Sequence, residues 1–573
     1  MQQKEYGMQE QIRRKKTEER RKADRHFVEA AAAFSASFPA VLFAALCLIP
    51  FTRLLGDRES GVLAVTFLFG ATLSAIGSLG LPAAVGKTIA GKSAQNQGKN
   101  SSRILFTALV PGTVSAFALS LASFLGAGFF AERMLSDPSA SIVLRCLAPG
   151  IFLFPANGIL QGYFLGIRSS GTAAASRIIA CLSGVILALA GVFVLPLILK
   201  HWNSGSSEGL PAVSRAAGAA AGWVAGTALS LIFLVLALRT SCVLIQKKAN
   251  GKHIDTARKE KIPSLLRSLT VAAAPSLALS ALFFLRKPAG LALFRYALQS
   301  RETSAEQILS LTGTYLMKYG AMILFPLILT CGIGAGCVRV LASAYEKGER
   351  RVFRARYDQA LRLTAVVSIP SWAMLAIFAA PLMELLFQNT ESAAIPLFWY
   401  GSSVIFFFGT AGVSGVILAF TGHLTTLIRN TFAGFLLSIA VLCIGLFGIK
   451  TELAGLAAAD AAFFLVLGLM NHFSLKRIFG FRINTARSFV RPAAAAAVMG
   501  AVGDAVYLVT DLLAGGRFLP VILGIAVGIL VYVTALLKLD TLSKSDILLL
   551  PAGSRIFRLC RTLHLLPSRT EKH

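Results

Sequence analysis

Blocks of roughly 20 consecutive apolar residues recur from one end of this chain to the other, the length a helix needs to cross a bilayer. Within hydrocarbon no water satisfies a backbone amide or carbonyl. Each block must therefore close its own hydrogen bonds as an α-helix. About 14 spans fit the length criterion. The first two fall near 27–51 and 61–86, the seventh near 264–285 and the eighth near 311–335. Composition agrees: 55% of the 573 residues are hydrophobic and 14% charged, against about a quarter charged in soluble domains. The expected class is an all-α polytopic membrane protein. The first block is too long for a cleaved secretory signal and follows the charged stretch 1–26.

A formal net charge of +29 raises the question of nucleic acid, and its distribution decides. With loops assigned to alternate sides and the N-terminus inside, about 43 of the 56 lysines and arginines fall inside and about 10 outside. The inside loops GKSAQNQGKNSSR, QKKANGKHIDTARKEK, YEKGERRVFRAR and LKRIFGFRINTAR carry much of this bias. Basicity therefore sets topology, with both termini expected in the cytoplasm. The tail IRRKKTEERRKADR would also rest on anionic lipid headgroups. No basic nucleic-acid-binding module is present, so nucleic acid is not an expected partner.

The eight cysteines do not read as a disulfide framework. Cys47, Cys146, Cys181, Cys331, Cys337 and Cys443 fall inside apolar spans, where a thiol acts as a small hydrophobe. The histidines are scattered, and neither a metal-ligand spacing nor a phosphate-binding glycine loop occurs.

The blocks divide the chain into a basic tail (1–26), a six-helix lobe (27–238), a basic linker (239–263), a second six-helix lobe (264–478), two additional helices (488–537) and a C-terminal tail (538–573). The longest outside loop is expected at 286–310, RKPAGLALFRYALQSRETSAEQILS. It is too small and too poor in acids to be the external catalytic part that a membrane glycosyltransferase needs. A weak repeat supports two lobes. FLFPANGILQGYFLGIRSSGTAAASR (152–177) and FFFGTAGVSGVILAFTGHLTTLIR (406–429) each open with aromatics and pass a glycine, Gly158 or Gly412. Each ends at an arginine, Arg177 or Arg429. Duplicated halves around a central site are a common design of secondary transporters.

The stretch LRCLAPGIFLFPANGILQGYFLGIR (144–168) is the least ordinary of the spans. Gly158, Gly162 and Gly166 recur every fourth residue and so share one helix face, where a neighbouring helix can approach closely. Pro149 and Pro155 kink the first half. Such a helix suits either tight static packing or a bundle that rocks between two states.

That stretch, with GSLGLPAAVGKTIAGKSAQNQGKNSSRIL before it, resembles the stage V sporulation protein B family. RLLGDRESGVLAV and YGAMILFPLILTCGIGAGCVRVLASAYEKGE carry further likeness, and the resemblance runs from about residue 30 to 480. The family belongs to the multidrug/oligosaccharidyl-lipid/polysaccharide exporter superfamily. The resemblance implies 14 helices, with two six-helix lobes around a cavity. It implies a bacterial cytoplasmic-membrane flippase for a polyprenyl-pyrophosphate-linked oligosaccharide, with the peptidoglycan precursor lipid II first. Cell-wall synthesis proteins become candidate partners, and sporulation a candidate setting. The chain departs from the family pattern in SFPAVLFAALCLIPF, which lacks a lysine, and in LALSALFFLRKPAGLALFRY, which lacks an aspartate.

Moving a pyrophosphate headgroup makes no bond, so no catalytic residue and no cofactor are expected. It needs a cationic path, because a bare phosphate in hydrocarbon is prohibitively costly. Charges inside spans are functional candidates by default. Arg145 and Lys318 lead, each about 10 Å inside the external end of its expected span, one in each lobe. Snorkelling to the headgroups is their ordinary alternative. Arg53, Lys87 and Arg177 follow, with topological anchoring as the alternative. Asn157 would bond sugar or simply another helix. Asp460 and Asp504 are candidates to bind a coupling proton or sodium ion; the membrane potential is the other source of drive. The competing reading on the same fold is a multidrug or organic-cation exporter, which expects acids rather than bases along its cavity. A non-transporting membrane scaffold is the remaining class.

Overall fold

Gly56 ends the first crossing. Helix α1 (Arg25–Gly77) has 53 residues, broken only at Gly56, whose φ of 75° and ψ of 176° are non-helical. At 1.5 Å per residue such a helix spans about 80 Å, more than two hydrocarbon thicknesses. Its two arms therefore cross separately, as the spans near 27–51 and 61–86 anticipate. A second break follows at Leu79 and Gly80, with φ of 52° and 67°. A Cβ on Gly80 would lie 2.5 Å from the Ala273 carbonyl oxygen and 2.6 Å from the Leu277 nitrogen. Only glycine admits so close a pass of another backbone.

In this computed structural model the described residues are 25–93, 98–135, 137–202, 213–249, 261–387, 394–480, 484–514, 516, 518–539 and 541. The tail before residue 25, the linker body 250–260 and the tail beyond 541 lie outside them. After α1 come α2 (Leu81–Ser93), α3 (Gly98–Leu125), α4 (Ser141–Gly166), α5 (Ser170–Trp202), α6 (Ser214–Ala249) and α7 (Ile262–Gln299). Then α8 (Ala305–Gly313) continues through a π-turn, Thr314–Tyr319, into α9 (Gly320–Glu346). The chain ends with α10 (Arg350–Ile377), α11 (Ala379–Phe387), α12 (Ala394–Gly401), α13 (Val404–Phe420), α14 (Leu424–Cys443), α15 (Leu453–Phe479), α16 (Arg491–Ala514) and α17 (Phe518–Lys538). Among the described residues, 13 helical stretches are long and apolar enough to cross a membrane, and the first covers 64 residues. Counting that one twice yields the expected 14 crossings of a multi-pass integral membrane protein.

The expected outside loop at 286–310 is not a loop over its first half. Helix α7 runs unbroken through Arg286, Lys287 and Pro288 to Gln299. The charged pair lowers local hydropathy but not helix propensity, and the missing proline N–H costs one bond that neighbouring groups can offset. The eighth crossing likewise begins at Ala305, earlier than the span near 311–335 implied. Ser304 starts it with a capping box, its hydroxyl accepting from the Gln307 amide.

Packing groups residues 1–316 with 420–431, and 317–419 with 432–573. In the first unit the inner core joins Ile89 of α2, Ile104 of α3, Ile159, Tyr163 and Phe164 of α4, and Leu265 of α7. The glycine stripe of α4 makes this possible. A Cβ on Gly158 would stand 3.2 Å from Pro82 Cγ, and one on Gly166 2.8 Å from Ile89 Cβ. A Cβ on Gly162 would collide with the Pro82 carbonyl. The stripe thus seats α2. Near the Gly56 end, α8 and α1 bring their backbones together at Gly313: a Cβ there would lie 2.5 Å from the Asp57 carbonyl and 2.9 Å from the Gly61 nitrogen.

The same unit wears its apolar residues outward. Helix α3 exposes Phe106, Val110, Val114, Phe117, Leu121 and Leu125 along one side, a surface suited to acyl chains rather than water. Hydroxyls inside such helices fold back on their own backbone, as Ser176 does to the Ala173 carbonyl at 2.9 Å and Thr312 to that of Ile308 at 2.7 Å. In the second unit, Val366 and Ile369 of α10 pack with Ala495 and Met499 of α16 and Leu536 of α17. Tyr532 joins them and donates its hydroxyl to the Val366 carbonyl at 2.8 Å.

Candidate functional site

In the first unit Arg145 sits on α4 at Ser141 plus four residues, about 10 Å below the 3-10 turn at Pro138–Ala140 that opens the crossing. Its side chain is exposed, with no ion pair or hydrogen bond among the described residues. That is a cation carried inside a span on an open face. Asn157 lies twelve residues further along, about 18 Å along the axis, and is buried at 5% exposure. Its Nδ2 donates to Ser230 Oγ of α6 at 3.1 Å, and its Oδ1 accepts from Gln161 Nε2 at 3.2 Å. Ser230 in turn donates to the Ser176 carbonyl of α5 at 2.8 Å. The amide thus ties three helices together, and the helix-bonding alternative describes it as it stands.

Arg177 follows Ser176 directly and is half-buried. Lys87, also half-buried, rides on α2 opposite the α4 glycines. Both border the inner core, where Ala173, Ala174, Val85 and Ile89 meet. The four bases of this unit therefore do not form one cluster. Arg53 and Arg145 lie toward the Gly56 end, Lys87 and Arg177 toward the other.

The turn RLLGDRESG, expected outside, holds more polar contacts than its sequence suggested. Arg58 pairs with Asp137, at the start of the fourth crossing, at 3.0 Å. Arg215 donates to the Leu54 carbonyl at 3.2 Å, and Glu59 accepts the Ala216 amide at 3.2 Å, a carboxylate placed at the N-terminus of α6. Burial pushes the Asp137 carboxyl up. The bonds it accepts from the Ser139 hydroxyl, the Arg58 guanidinium and the Ser139 amide outweigh that and hold it below the usual carboxylate range. The sequence singled out Arg53 here and missed Arg58, Glu59 and Asp137. The signal for Arg58 and Glu59 was a charged turn, DRES, between two spans; that for Asp137 was its place just before Pro138 at the start of a span.

In the second unit Lys318 is only 4% exposed, and it lies in the π-turn Thr314–Tyr319. Because the helix starts at Ala305, Lys318 is about 20 Å along it, deeper than its expected span implied. Its side chain packs inside the unit rather than on its surface. A π-turn adds a residue to the helical ladder, a feature common at functional positions. The next residue, Tyr319, packs edge-on against Phe398 at 5.3 Å. Asp460 of α15 is buried at 5% exposure. Asp504 of α16 is exposed and shares the surroundings of Tyr507 with Asp511 and Glu384. Arg362 of α10 is consumed structurally. It pairs with Asp358 at 3.1 Å, whose other oxygen accepts from Asn484 and Ser488 ahead of α16. Arg286, 7% exposed in α7, was missed because its RK pair read as the end of a span. The apolar run LALF that resumes after Pro288 was the available clue.

Comparison with known proteins extends this description. Residues 30–275 match the family profile described as polysaccharide biosynthesis protein. Two proteins of Bacillus subtilis (strain 168) are similar. Stage V sporulation protein B is 24% identical over 353 residues, covering 60% of this chain and 62% of that protein. Lipid II flippase MurJ is 21% identical over 380 residues, covering 63% and 66%. The chain thus spans less than two thirds of the length of each. A solved structure of lipid II flippase MurJ in an inward closed conformation superposes with a TM-score of 0.60 at 16% identity, over 89% of this chain and 97% of that one. An inward-facing multidrug resistance MATE family transporter of the MOP superfamily superposes with a TM-score of 0.58 at 12% identity, over 77% and 94%. The fold is theirs.

Proposed function

We propose that this chain is a transporter of the MOP superfamily and, within it, a flippase. Its cargo would be a polyprenyl-pyrophosphate-linked oligosaccharide, lipid II first, carried across the bacterial cytoplasmic membrane by alternating access. The termini would lie in the cytoplasm, and the lobes 27–238 and 264–478 would be the moving bodies.

Arg145 carries this reading. An exposed guanidinium about 10 Å inside a crossing is costly against hydrocarbon. Facing a hydrated path it becomes useful, because its planar fork matches phosphate oxygens. In the first unit Lys87 and Arg177 would meet the headgroup toward one end and Arg145 and Arg53 toward the other; in the second, Lys318 is the proposed cation. The buried Asp460 is the proposed acid for proton or sodium coupling, with Asp504 as the more exposed second. The resemblance to stage V sporulation protein B and MurJ supports the cargo class, and cell-wall synthesis proteins are the proposed partners.

The test is flipping of a fluorescent lipid-linked disaccharide-pentapeptide in proteoliposomes. Wild type flips it. Arg145→Ala combined with Lys318→Ala reduces the rate about a hundredfold or more, since each charge-assisted phosphate bond is worth about 1.5–3 kcal/mol. An inactive wild type together with active organic-cation efflux would transfer the chain to the exporter reading. A double variant that flips normally would remove the cationic path.

A further inference from the structure

A cavity of about 480 Å³ opens in the first unit among α1, α7, α8 and the π-turn Ala131–Leu135 that precedes the fourth crossing. None of the residues proposed above for transport lines it. Its two ends differ in chemistry. Arg133, Arg295, Gln299 and Glu132 surround one end, and Val65, Leu68, Phe69, Leu291 and Ala292 the other. Along α7 the lining runs from Gln299 to Pro288, about 16 Å of helix axis. The polar end lies at the Gly56 end of the bundle, external by the positive-inside count.

The polar end is built. Arg295 Nη1 donates to the carbonyl oxygen of Arg133, pinning the π-turn to α7. With its amide turned to satisfy both groups, Gln299 accepts from Arg295 Nε at 3.1 Å. The Arg133 guanidinium is exposed and stands 5.9 Å from the Phe129 ring. Two arginines and one glutamate leave the charged lining at +1, the complement of a singly charged anion.

We propose that this crevice binds an anionic phospholipid of the outer leaflet, with its phosphodiester at Arg133 and Arg295 and one acyl chain along Leu68, Phe69, Leu291 and Ala292. The change from charged to apolar along a single crevice matches an amphiphile and not a free phosphate. The single net positive charge, with Glu132 at the mouth, matches a phosphodiester better than a pyrophosphate, whose second negative charge Glu132 would repel. Such a lipid would fasten the π-turn to α7 and α8 from the bilayer side.

The experiment uses the full chain in phosphatidylcholine nanodiscs with a trace of phosphatidylglycerol bearing a diazirine on one acyl chain. Light should label the peptides containing Leu68–Phe69 and Leu291–Ala292, and unlabelled phosphatidylglycerol should compete at least tenfold better than added phosphatidylcholine. Arg133→Gln should cut labelling about tenfold, the scale of one charge-assisted bond. Ala292→Trp should abolish it by filling the apolar end. Arg133 is exposed, so its substitution leaves packing intact and remains decisive should Ala292→Trp fail to fold. Equal competition by phosphatidylcholine, full labelling of the Arg133 variant, competition by soluble glycerol phosphate, or stronger competition by a polyprenyl pyrophosphate would each overturn the assignment.

Discussion

Replacing Gly166 by alanine tests whether the α4 stripe holds α2 by contact. The new Cβ would stand 2.8 Å from Ile89 Cβ, 2.9 Å from its Cγ2 and 3.0 Å from the Gly86 carbonyl oxygen. Ordinary contact begins near 3.4 Å, so α2 must retreat by about 0.6 Å. Ile89 is branched at the offending carbon and cannot rotate the clash away. A gap of 0.5–1 Å forfeits roughly a quarter to a half of each dispersion contact along the seam, and overpacking of this kind costs about 1–3 kcal/mol. Gly166 is the last residue of its helix, so little helix propensity is regained. The expected net loss is about 1–2 kcal/mol, read as a fall of roughly 1–3 °C in a thermal-shift melt of so large a chain. Gly158→Ala meets only the Pro82 ring, with Cγ at 3.2 Å and Cβ at 3.7 Å, and should melt near wild type. Gly412→Ala meets nothing within 4 Å and should gain up to about 1 kcal/mol in helix propensity. Should Gly166→Ala melt with or above these two, the seam is not what fastens α2.

Asn157→Ala should cost about 1 kcal/mol through loss of its bond to Ser230 while leaving flipping per folded molecule unchanged; lost flipping at normal stability would make the amide a sugar ligand instead. Asp137→Asn should flatten the acid limb of stability. The Asp137 carboxyl is held below its unfolded value, so its contribution is complete above about pH 4 and fades as pH falls through the lowered folded value; melts from pH 6 downward in wild type and variant would show the difference. Because Arg58 is 41% exposed, that contribution should stay within about 1 kcal/mol. Tyr532→Phe should lower the melt by the value of one buried bond, about 1 kcal/mol, with transport retained.

Hydrophobic length made the crossings legible, because a helix in lipid has no other way to satisfy its backbone. The α4 glycine spacing also carried over directly into packing against α2. Two kinds of feature did not. Hydropathy treats a charged pair as the end of a span, so Arg286 and Lys287 hid the second half of α7. Sequence distance also hides polar wiring. Arg58 and Asp137 are 79 residues apart, and nothing local marks them as partners. The bases for the proposed path were visible because charge inside a span is rare. Their exposures, open for Arg145 and closed for Lys318 and Asn157, arise from which face each helix turns to its neighbours.

The meeting of Gly61 and Gly313 brings main chain against main chain, with no side chain between. At the two glycines themselves there is no rotamer to reset. Their hold comes from shape alone and lapses within an ångström or so of separation. It lies just before the π-turn, close to the point at Leu316 where the chain leaves the first unit. Any side chain introduced there acts as a wedge, so the two glycines form a seal that tolerates no filling.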